Sequence, residues 1–364
     1  MHLKDSPVLR DISTPHVFFF SANVVKIPDG NIGDFLFSNF LFCIFAEKKQ
    51  HMISNYKKLM QRFVKDYNLP INIYNEEMIN YYRGLYDFFP KKVYFDIINT
   101  IETKYDGNVE RWLDYCGEVR DRAIDKIKNT PEYREFNECD LKQYDIPKNN
   151  YGERLCYTEE TNGKNFMSVD MKKANFQALK YVGVIKDDTY EDFIKSVGGD
   201  DYISGSKYLR QVILGNCNPS RQIKVEKFLM DKVLNHLLEI YPYYKVFSVN
   251  ADEIVFSLVD GIYCGPGSGE YIENHIKKQL SVDVRVEFIK VMKLDIVNCN
   301  GDNVDAYVKK DLVSGKETLK KVSTLFYPQV YKLYKGMDIT EKDRRVFVEN
   351  QIATFNEKLR WYEH

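Results

Sequence analysis

The chain has 364 residues, of which 44% are hydrophobic and 29% charged, so it can bury a sizeable core and is not a disordered polypeptide. Lys and Arg total 52 and Asp and Glu total 53, for a net charge of -1. Any positive surface is therefore local, and a nucleic-acid partner is neither required nor excluded. The seven cysteines form no Cys-x-x-Cys pair, which indicates free thiols in a reducing compartment and argues against a zinc site.

The first third of the chain is predicted to be mainly helical. Its apolar run Phe35–Ala46 is well short of the ~20 residues needed to span a bilayer, so it indicates a buried helix that runs from Gly33 to about Val64. The chain start shows no signal-peptide pattern. We therefore expect a cytoplasmic protein without a membrane partner, in a cell or in a virus-infected host. Further helical patterns follow the Asn68-Leu69-Pro70 stop, at Glu76–Tyr86, Val93–Lys104 and Asn108–Asn129.

Residues 130–165 are polar and rich in turn signals, which predicts a linker or an irregular subdomain. The pattern then changes to short apolar strands separated by helices. This order predicts an α+β fold, with an antiparallel sheet that carries helices on one face. The predicted strands are Asn165–Asp170, Lys245–Val249, Ile254–Leu258, Val282–Val286 and Phe288–Ile296, and the predicted helices are Ala174–Tyr181, Ser220–Ile240 and Glu270–Leu280, with loops at Gly198-Gly199 and Ser204-Gly205-Ser206.

The last part of the chain is predicted to form a basic hairpin and a helix. The hairpin runs from Ala306 to Val322 around a Ser314-Gly315 turn, and the helix covers Glu341–Tyr362. The hairpin is a candidate for contact with a duplex backbone, because phosphates attract clustered lysines. Those lysines are Lys309, Lys310, Lys316, Lys320 and Lys321. The predicted organisation is a helical region at 1–164, a sheet domain at 165–299 and a small C-terminal region at 300–364.

Two acidic positions stand out as candidates for chemistry. Asp170 ends an apolar strand before a helix, where it serves either as a ligand or as a helix N-cap. Asp252 and Glu253 interrupt the apolar run from Val249 to Phe256. Burial of uncompensated carboxylates is costly, so both acids belong at a bend, and turn chemistry explains one acid better than two. Two strand-borne carboxylates side by side suit Mg²⁺ or Mn²⁺, as in two-metal phosphoryl transfer.

These segments resemble the palm motifs of right-handed nucleic-acid polymerases. Ser168–Gln177 resembles the first motif, in which a strand and the first metal-binding Asp precede a helix-like turn. Asn250–Phe256 is similar to the third motif, in the Asp-Glu form of bacterial repair polymerases or the Ala-Asp-Asp form of reverse transcriptases. Gly215–Ser220, before a long helix, resembles the second motif of reverse transcriptases. Ser204-Gly205-Ser206 is an alternative second motif, similar to the Ser-Gly loop of viral RNA polymerases.

The resemblance implies a palm-type sheet with a fingers-like region before it and a thumb-like region after it. It implies a template-dependent nucleotidyltransferase, in which Asp170 and Asp252 hold two Mg²⁺ (or Mn²⁺) ions and Glu253 is an auxiliary acid. The implied partners are nucleoside triphosphates, a DNA or RNA template-primer and a larger replication or transcription complex. Implied substrate contacts are Lys172, Lys173, Asn175, Phe176, Lys207, Arg210 and Arg221, although each basic residue also suits a solvated helix face.

The sequence also departs from the reverse-transcriptase pattern at two positions. A second Asp usually stands in place of Glu253, and a bulky aromatic residue stands in place of Asn175. In that family the aromatic residue screens the 2′ group of the sugar, so the small Asn175 would permit ribonucleotides. Two other hypotheses remain: a non-catalytic palm-like subunit that binds nucleic acid or a polymerase, and a nucleotide cyclase-like enzyme without a template. The sequence carries no P-loop, dinucleotide-binding loop or Gly-x-Ser-x-Gly elbow.

Overall fold

The described part of the chain contains one six-stranded antiparallel sheet, two two-stranded sheets and twelve α-helices. The computed structural model describes residues 55–147, 151–258, 265, 267–298 and 300–362. The predicted α+β class is confirmed. The apolar run Phe35–Ala46 lies outside the described residues, whereas the end of its predicted helix is present as α1, residues 55–66. None of the described helices combines the length and apolar character that a membrane crossing requires.

Three of the helices before the sheet begin at side chains that cap them. Asn75, Asn108 and Thr130 each accept a hydrogen bond from a backbone N–H of the first turn, which satisfies donors that a helix leaves unpaired. The predicted linker at 130–165 therefore contains a helix that the sequence analysis missed, because Thr130-Pro131 is a cap followed by a favoured first residue. These helices are α2 (Glu76–Leu85), α3 (Lys91–Lys104), α4 (Val109–Lys128) and α5 (Pro131–Glu138).

One of the five helices after the first strand ends at Ser204-Gly205, which the sequence analysis took as a loop. The predicted loop at Gly198-Gly199 is confirmed, because these residues lie between two helices. Ser206 is the N-cap of α9, and its hydroxyl also donates to the buried Asp66 at 2.7 Å. Asp66 further accepts hydrogen bonds from Arg62 and Tyr202. The Ser204-Gly205-Ser206 segment thus joins helices in the core. The helices are α6 (Ala174–Tyr181), α7 (Tyr190–Ser196), α8 (Asp201–Gly205), α9 (Lys207–Gly215) and α10 (Pro219–Ile240).

The sheet brings together strands that are far apart in the sequence. Its strand order is β2-β3-β1-β4-β6-β7, and every neighbouring pair is antiparallel. The first four strands follow a split βαβ arrangement with the spatial order β2-β3-β1-β4. In this order β3 separates β2 from β1, and β4 lies on the other side of β1. The strands are β1 (Asn165–Met171), β2 (Lys245–Val249), β3 (Glu253–Ser257), β4 (Val284–Lys293), β6 (Tyr307–Asp311) and β7 (Glu317–Lys320), with α11 (Ser268–Leu280) before β4.

The predicted break between two strands near Glu287 is wrong. Strands were predicted at Val282–Val286 and Phe288–Ile296, but one strand runs without interruption from Val284 to Lys293. Glu287 does not end it, because its carboxylate accepts from Lys309 of β6 at 2.7 Å on a polar face. The separate short strand β5 (Ile296–Val297) follows it.

The two faces of the sheet differ in character, because side chains alternate along each strand. Met167, Val169 and Ile254 belong to the main hydrophobic core, which continues into α6, α10 and α11. On the opposite face, Phe166 and Val255 join a smaller apolar cluster that covers only one end of the sheet. The other end of that face, where β1 ends, carries polar side chains. The predicted boundaries at 164 and 299 stay a prediction.

The predicted C-terminal helix at Glu341–Tyr362 is wrong. The segment contains a hairpin of β8 (Arg345–Val348) and β9 (Gln351–Thr354), and β10 (Arg360–Trp361) then pairs with β5. Glu349 and Asn350 have φ values of 49° and 63°, as a two-residue hairpin turn requires. The β-branched and aromatic residues before that turn favour a strand over a helix.

A buried ion pair ties the C-terminal region to the helices at the start of the described chain. Asp343 is fully buried, and its carboxylate lies 2.9 Å from the Lys332 Nζ. The Tyr81 hydroxyl of α2 donates to the same carboxylate, and the Thr340 backbone N–H and hydroxyl donate to it as well. Lys332 belongs to α12 (Tyr327–Tyr334). This network fixes α12 and the following turn against α2.

We predict that Asp343→Ala lowers the free energy of unfolding by about 3–5 kcal/mol, because it leaves the buried Lys332 charge without its carboxylate partner. Urea unfolding measures this change. The control is Glu341→Ala, which removes an exposed partner of Arg345 at 3.3 Å and is expected to cost at most about 1 kcal/mol. An equal loss in both variants would contradict the role assigned to Asp343.

Candidate functional site

The predicted acidic bend is a tight turn between β2 and β3. The Asn250 backbone N–H donates to the Glu253 carbonyl at 2.8 Å, and Val249 pairs with Ile254 just outside the turn. Asp252 is exposed at its tip. The turn therefore keeps the Asp252 charge in water, as the cost of burial requires. Residues 250–253 are called the acid turn below.

Asp170 lies directly beside the acid turn. It is paired with Glu253 in the antiparallel register of β1 and β3, and side chains at such positions have Cβ atoms about 4.5–5.5 Å apart. The next backbone N–H along β1, from Met171, donates to the Asp252 carbonyl at 2.7 Å. Asp170 is not the N-cap of α6, because Lys173 occupies that position. The sheet thus brings together the three acids that the sequence analysis selected.

Charges of both signs surround these acids on the polar face. Arg285, opposite Asp170 on β4, donates to its carboxylate at 3.1 Å. The Ser168 hydroxyl donates to Glu253 at 2.6 Å. Glu287 pairs with Ser168 across β1 and β4 and therefore lies on the same face. We call Asp170, Asp252, Glu253 and Glu287 the carboxylate face.

Two of the five hairpin lysines turn toward the carboxylate face. Lys309 contacts Glu287 at 2.7 Å, and the half-buried Lys320 has a pKa lowered by burial and by the charge of Lys309. Lys310, on the other face of β6, lies 3.4 Å from Glu317 instead. The predicted hairpin is present as β6 and β7, and alternation along its strands divides its lysines between two surfaces.

The Asp170 carboxylate lies where burial and neighbouring negative charges oppose its ionisation. Burial raises the pKa of the Asp170 carboxyl, Arg285 opposes that shift, and the charges of Glu253 and Asp252 raise the pKa further. A divalent cation would offset this repulsion, and Mg²⁺ takes few carboxylates and completes its shell with water and phosphate oxygens. No group of three or more His, Cys, Asp or Glu side chains within the described ranges forms a ready-made metal site. The donors present suit a cation shared with a phosphate ligand.

Glu226 of α10 is a further acid near the turn, and the sequence analysis did not select it. It is only 4% exposed. Burial, followed by the charge of Asp252, raises the pKa of Glu226 to about 7, and its Oε1 has no hydrogen-bond partner among the described atoms. The sequence signal that could have identified Glu226 is its position on the apolar stripe of α10. Gln222, Glu226 and Leu229 follow one another on that stripe at helical spacing.

Several predicted substrate contacts line a cleft of about 390 Å³ beside the end of β1. Lys173 has a left-handed backbone, with φ of 53°, and its Nζ contacts both oxygens of Glu191 at 2.6 and 2.7 Å. Tyr190 is fully buried, and its hydroxyl has no hydrogen-bond partner in the described structure. The Arg210 guanidinium stacks over the Tyr190 ring at 5.9 Å. Lining residues include Lys172, Lys173, Phe176, Gln177, Tyr190 and Glu191.

The remaining predicted contacts lie in different surroundings. Phe176 is buried, with its ring edge-on to Tyr190, and Asn175 is half-buried in the first turn of α6. Lys207 is exposed at the first turn of α9. Arg221 donates to the Cys139 carbonyl at 2.5 Å, and its guanidinium lies over the Phe136 ring. The structure therefore uses Arg221 to attach α5 to α10 and does not bring it to the carboxylate face.

Arg285, Glu287, Tyr190 and Glu191 belong to the site region, but the sequence analysis did not select them. The signal for the first two was alternation, because charged residues alternate with Val284, Val286 and Phe288 along β4. Alternation shows that the charged residues share a face. It does not show which strand lies beside them, so the contact of Arg285 with Asp170 was not predictable.

Comparison with known proteins adds no family assignment. The chain matches no protein-family model, and a search of curated proteins likewise finds no match. The functional conclusion therefore depends on the geometry of the carboxylate face and of the neighbouring cleft.

We predict that Glu226→Gln stabilises the fold above pH 7. Because the pKa of Glu226 rises from 4.5 to about 7 on folding, the wild type loses stability as pH increases through this range, whereas the neutral amide does not. Urea unfolding at pH 8 should favour the variant by on the order of 3 kcal/mol, and the difference should vanish near pH 4.5. Glu239→Gln, at an exposed position on the same helix, is the control with little change at either pH. A variant without a pH-dependent gain would contradict this assignment.

Proposed function

We propose that the chain is a template-dependent nucleic-acid polymerase with a palm-type sheet. The observation that carries the proposal is the position of Asp170 beside the acid turn, with Met171 N–H bonded to the Asp252 carbonyl at 2.7 Å. This arrangement supports the proposed roles of Asp170 and Asp252 as ligands of two Mg²⁺ (or Mn²⁺) ions. A purely structural role explains it less well, because the charges of Asp252 and Glu253 oppose ionisation of Asp170.

The proposed reaction joins a nucleotide to a nucleic-acid chain. A 3′ hydroxyl loses its proton to water and its oxygen attacks the α-phosphorus of a nucleoside triphosphate. A new phosphate ester bond forms, the bond from the α-phosphorus to the oxygen that bridges to the β-phosphorus breaks, and pyrophosphate leaves. The bound cations would offset the negative charge of the reacting phosphate groups. Ser168 orients the auxiliary acid Glu253 through its 2.6 Å hydrogen bond. Arg285 holds Asp170 in place and is a second source of positive charge on this face.

The cleft beside β1 is the proposed site of the nucleoside triphosphate. Lys172 and Lys173 follow Asp170 within three residues and line the cleft, so a ligand there can extend to the carboxylate face. Burial lowers the pKa of the Arg210 guanidinium. An anionic ligand beside it would favour the charged form and would therefore raise that pKa again. The unpartnered Tyr190 hydroxyl supplies a donor for the same ligand. Charged contacts of this kind suit phosphate groups.

A non-catalytic palm-like subunit is the second candidate. The specific observation in its favour is the ion pair between Arg285 and Asp170, which already supplies one carboxylate of the proposed metal site with a cation. Such a subunit would bind nucleic acid or a larger polymerase without nucleotide transfer. A cyclase-like enzyme differs from both candidates, because its activity would not depend on a primer-template.

We predict that Asp252→Asn reduces labelled nucleotide incorporation on a primer-template at least a hundredfold, because the metal site loses one of its two carboxylate ligands. The assay uses purified full-length chain with Mg²⁺ and, separately, Mn²⁺, on DNA and RNA templates. Asp125→Asn, at an exposed position on α4, is the matched control. Equal incorporation by wild type and Asp252→Asn would overturn the polymerase assignment. No incorporation by wild type, together with binding of primer-template, would favour the non-catalytic subunit.

We predict that Tyr190→Phe weakens nucleoside triphosphate binding about twofold to tenfold, because the ligand loses one hydrogen bond. The same change should leave stability equal or slightly higher, since it removes a buried hydroxyl without a partner. Calorimetry measures the binding and thermal unfolding measures the stability. Tyr86→Phe is the matched control, because Tyr86 is also buried with an unpartnered hydroxyl but belongs to the helical region. Unchanged binding in Tyr190→Phe would place the nucleotide elsewhere.

A further inference from the structure

An open-ended stack of aromatic rings lies where α10 and α11 pack together. The His236 and His275 rings are 5.1 Å apart and within 10° of parallel. Tyr271 continues the stack, 6.2 Å from His275 and tilted by 18°. Tyr271 is 66% exposed. The stack therefore ends in a ring that is largely accessible to solvent.

A second exposed ring is held by the turn that follows α10. Tyr241 and Tyr244 stack at 5.0 Å, and Tyr244 contacts Phe256 of the core at 5.7 Å. Tyr243 is 5.1 Å from Tyr244 and nearly perpendicular to it, and 65% of its surface is exposed. Rings supported in this way lose little conformational entropy when they bind a ligand. The two exposed rings lie near Tyr241, whose pKa is raised by burial and by the charges of Tyr271 and Tyr243. The aromatic surface below means Tyr243 and Tyr271 with the rings that support them.

The charges around the aromatic surface are mixed. Lys278 lies on the same stripe of α11 as Tyr271 and His275, seven residues after Tyr271 and three after His275. Glu239 and Glu270 are exposed acids on the same two helices. The aromatic surface therefore attracts a phosphate group only weakly. Contact with the rings has to supply most of the free energy with which a ligand binds there.

We propose that the aromatic surface binds unpaired bases of single-stranded nucleic acid. Every nucleobase offers a flat π face that continues a ring stack, so the contact tolerates any sequence. A tyrosine or histidine ring combines an apolar face with a polar edge, which suits a base in water better than it suits an aliphatic peptide side chain. The proposal requires neither the cations nor the cleft of the proposed polymerase, and it names a separate contact for an unpaired strand.

The test is fluorescence anisotropy of labelled twelve-nucleotide oligo-dT and oligo-U with the full chain in EDTA, so that metal-dependent contacts do not contribute. Tyr271→Ala should weaken binding by about fivefold to a hundredfold, which is the effect of one lost stacking contact. The salt dependence of binding should stay unchanged, because no phosphate contact is removed. Tyr271→Phe keeps the ring and should bind like wild type. Tyr243→Ala should show a loss of similar size.

Phe95→Ala is the matched control, because Phe95 is 53% exposed on α3, far along the chain from this surface, and thermal unfolding checks that each variant is folded. The proposal is overturned if Tyr271→Ala binds like wild type, if Tyr271→Phe loses as much as Tyr271→Ala, or if Phe95→Ala loses as much as either. A wild type that binds duplex but no single strand would also overturn it. These outcomes differ from failure of the polymerase proposal, which concerns Asp252 and nucleotide incorporation.

Discussion

The antiparallel pairing of β1 with β3 is the constraint on which the candidate site depends. It places Asp170 opposite Glu253 and bonds the backbone next to Asp170 to the carbonyl of Asp252. A shift of this register by one residue would turn Asp170 into the core and Val169 into water, which the apolar face of the sheet forbids. Burial of that apolar face thus fixes the strand register and, with it, the position of the acids. The favourable free energy of this burial comes from the apolar side chains and not from the acids.

The cost of bringing like charges together explains the polar groups around the acids. Asp252 keeps its charge in water at the tip of the turn, while Arg285 and Lys309 reach the face from neighbouring strands. Even with these cations, the pKa of Asp170 remains raised. Binding of a further cation or a polar ligand at this position would relieve the repulsion, which makes a favourable contribution to the binding free energy. Sites of function are where such unfavourable local arrangements are concentrated.

Two different surfaces lie near the end of β1, and in the proposed function they would contact different parts of a nucleotide substrate. The carboxylate face is acidic, whereas Lys173 and Tyr190 line the cleft and Arg210 stacks on the Tyr190 ring. Asp170 and Lys173 are three residues apart in the chain. The aromatic surface on α10 and α11 offers ring faces and little charge. Its chemistry therefore differs from that of either surface at β1.

The sequence by itself determined the elements whose signals are local. The 3.6-residue stripe of α10, the alternation along β1 and the two acids of the acid turn were predictable because each depends on a few adjacent residues. Local signals failed at residues 341–362, where periodicity suggested a helix but the left-handed Glu349-Asn350 turn requires a hairpin.

Only the tertiary structure decided which distant groups meet. It placed Arg285 against Asp170 and buried Glu226 near Asp252, and it directed Arg221 to Cys139 rather than to the acids. These pairings follow from strand order and helix packing, which many non-local contacts determine together. No short stretch of sequence contains that information, so the sequence indicated the acids and the structure supplied their neighbours.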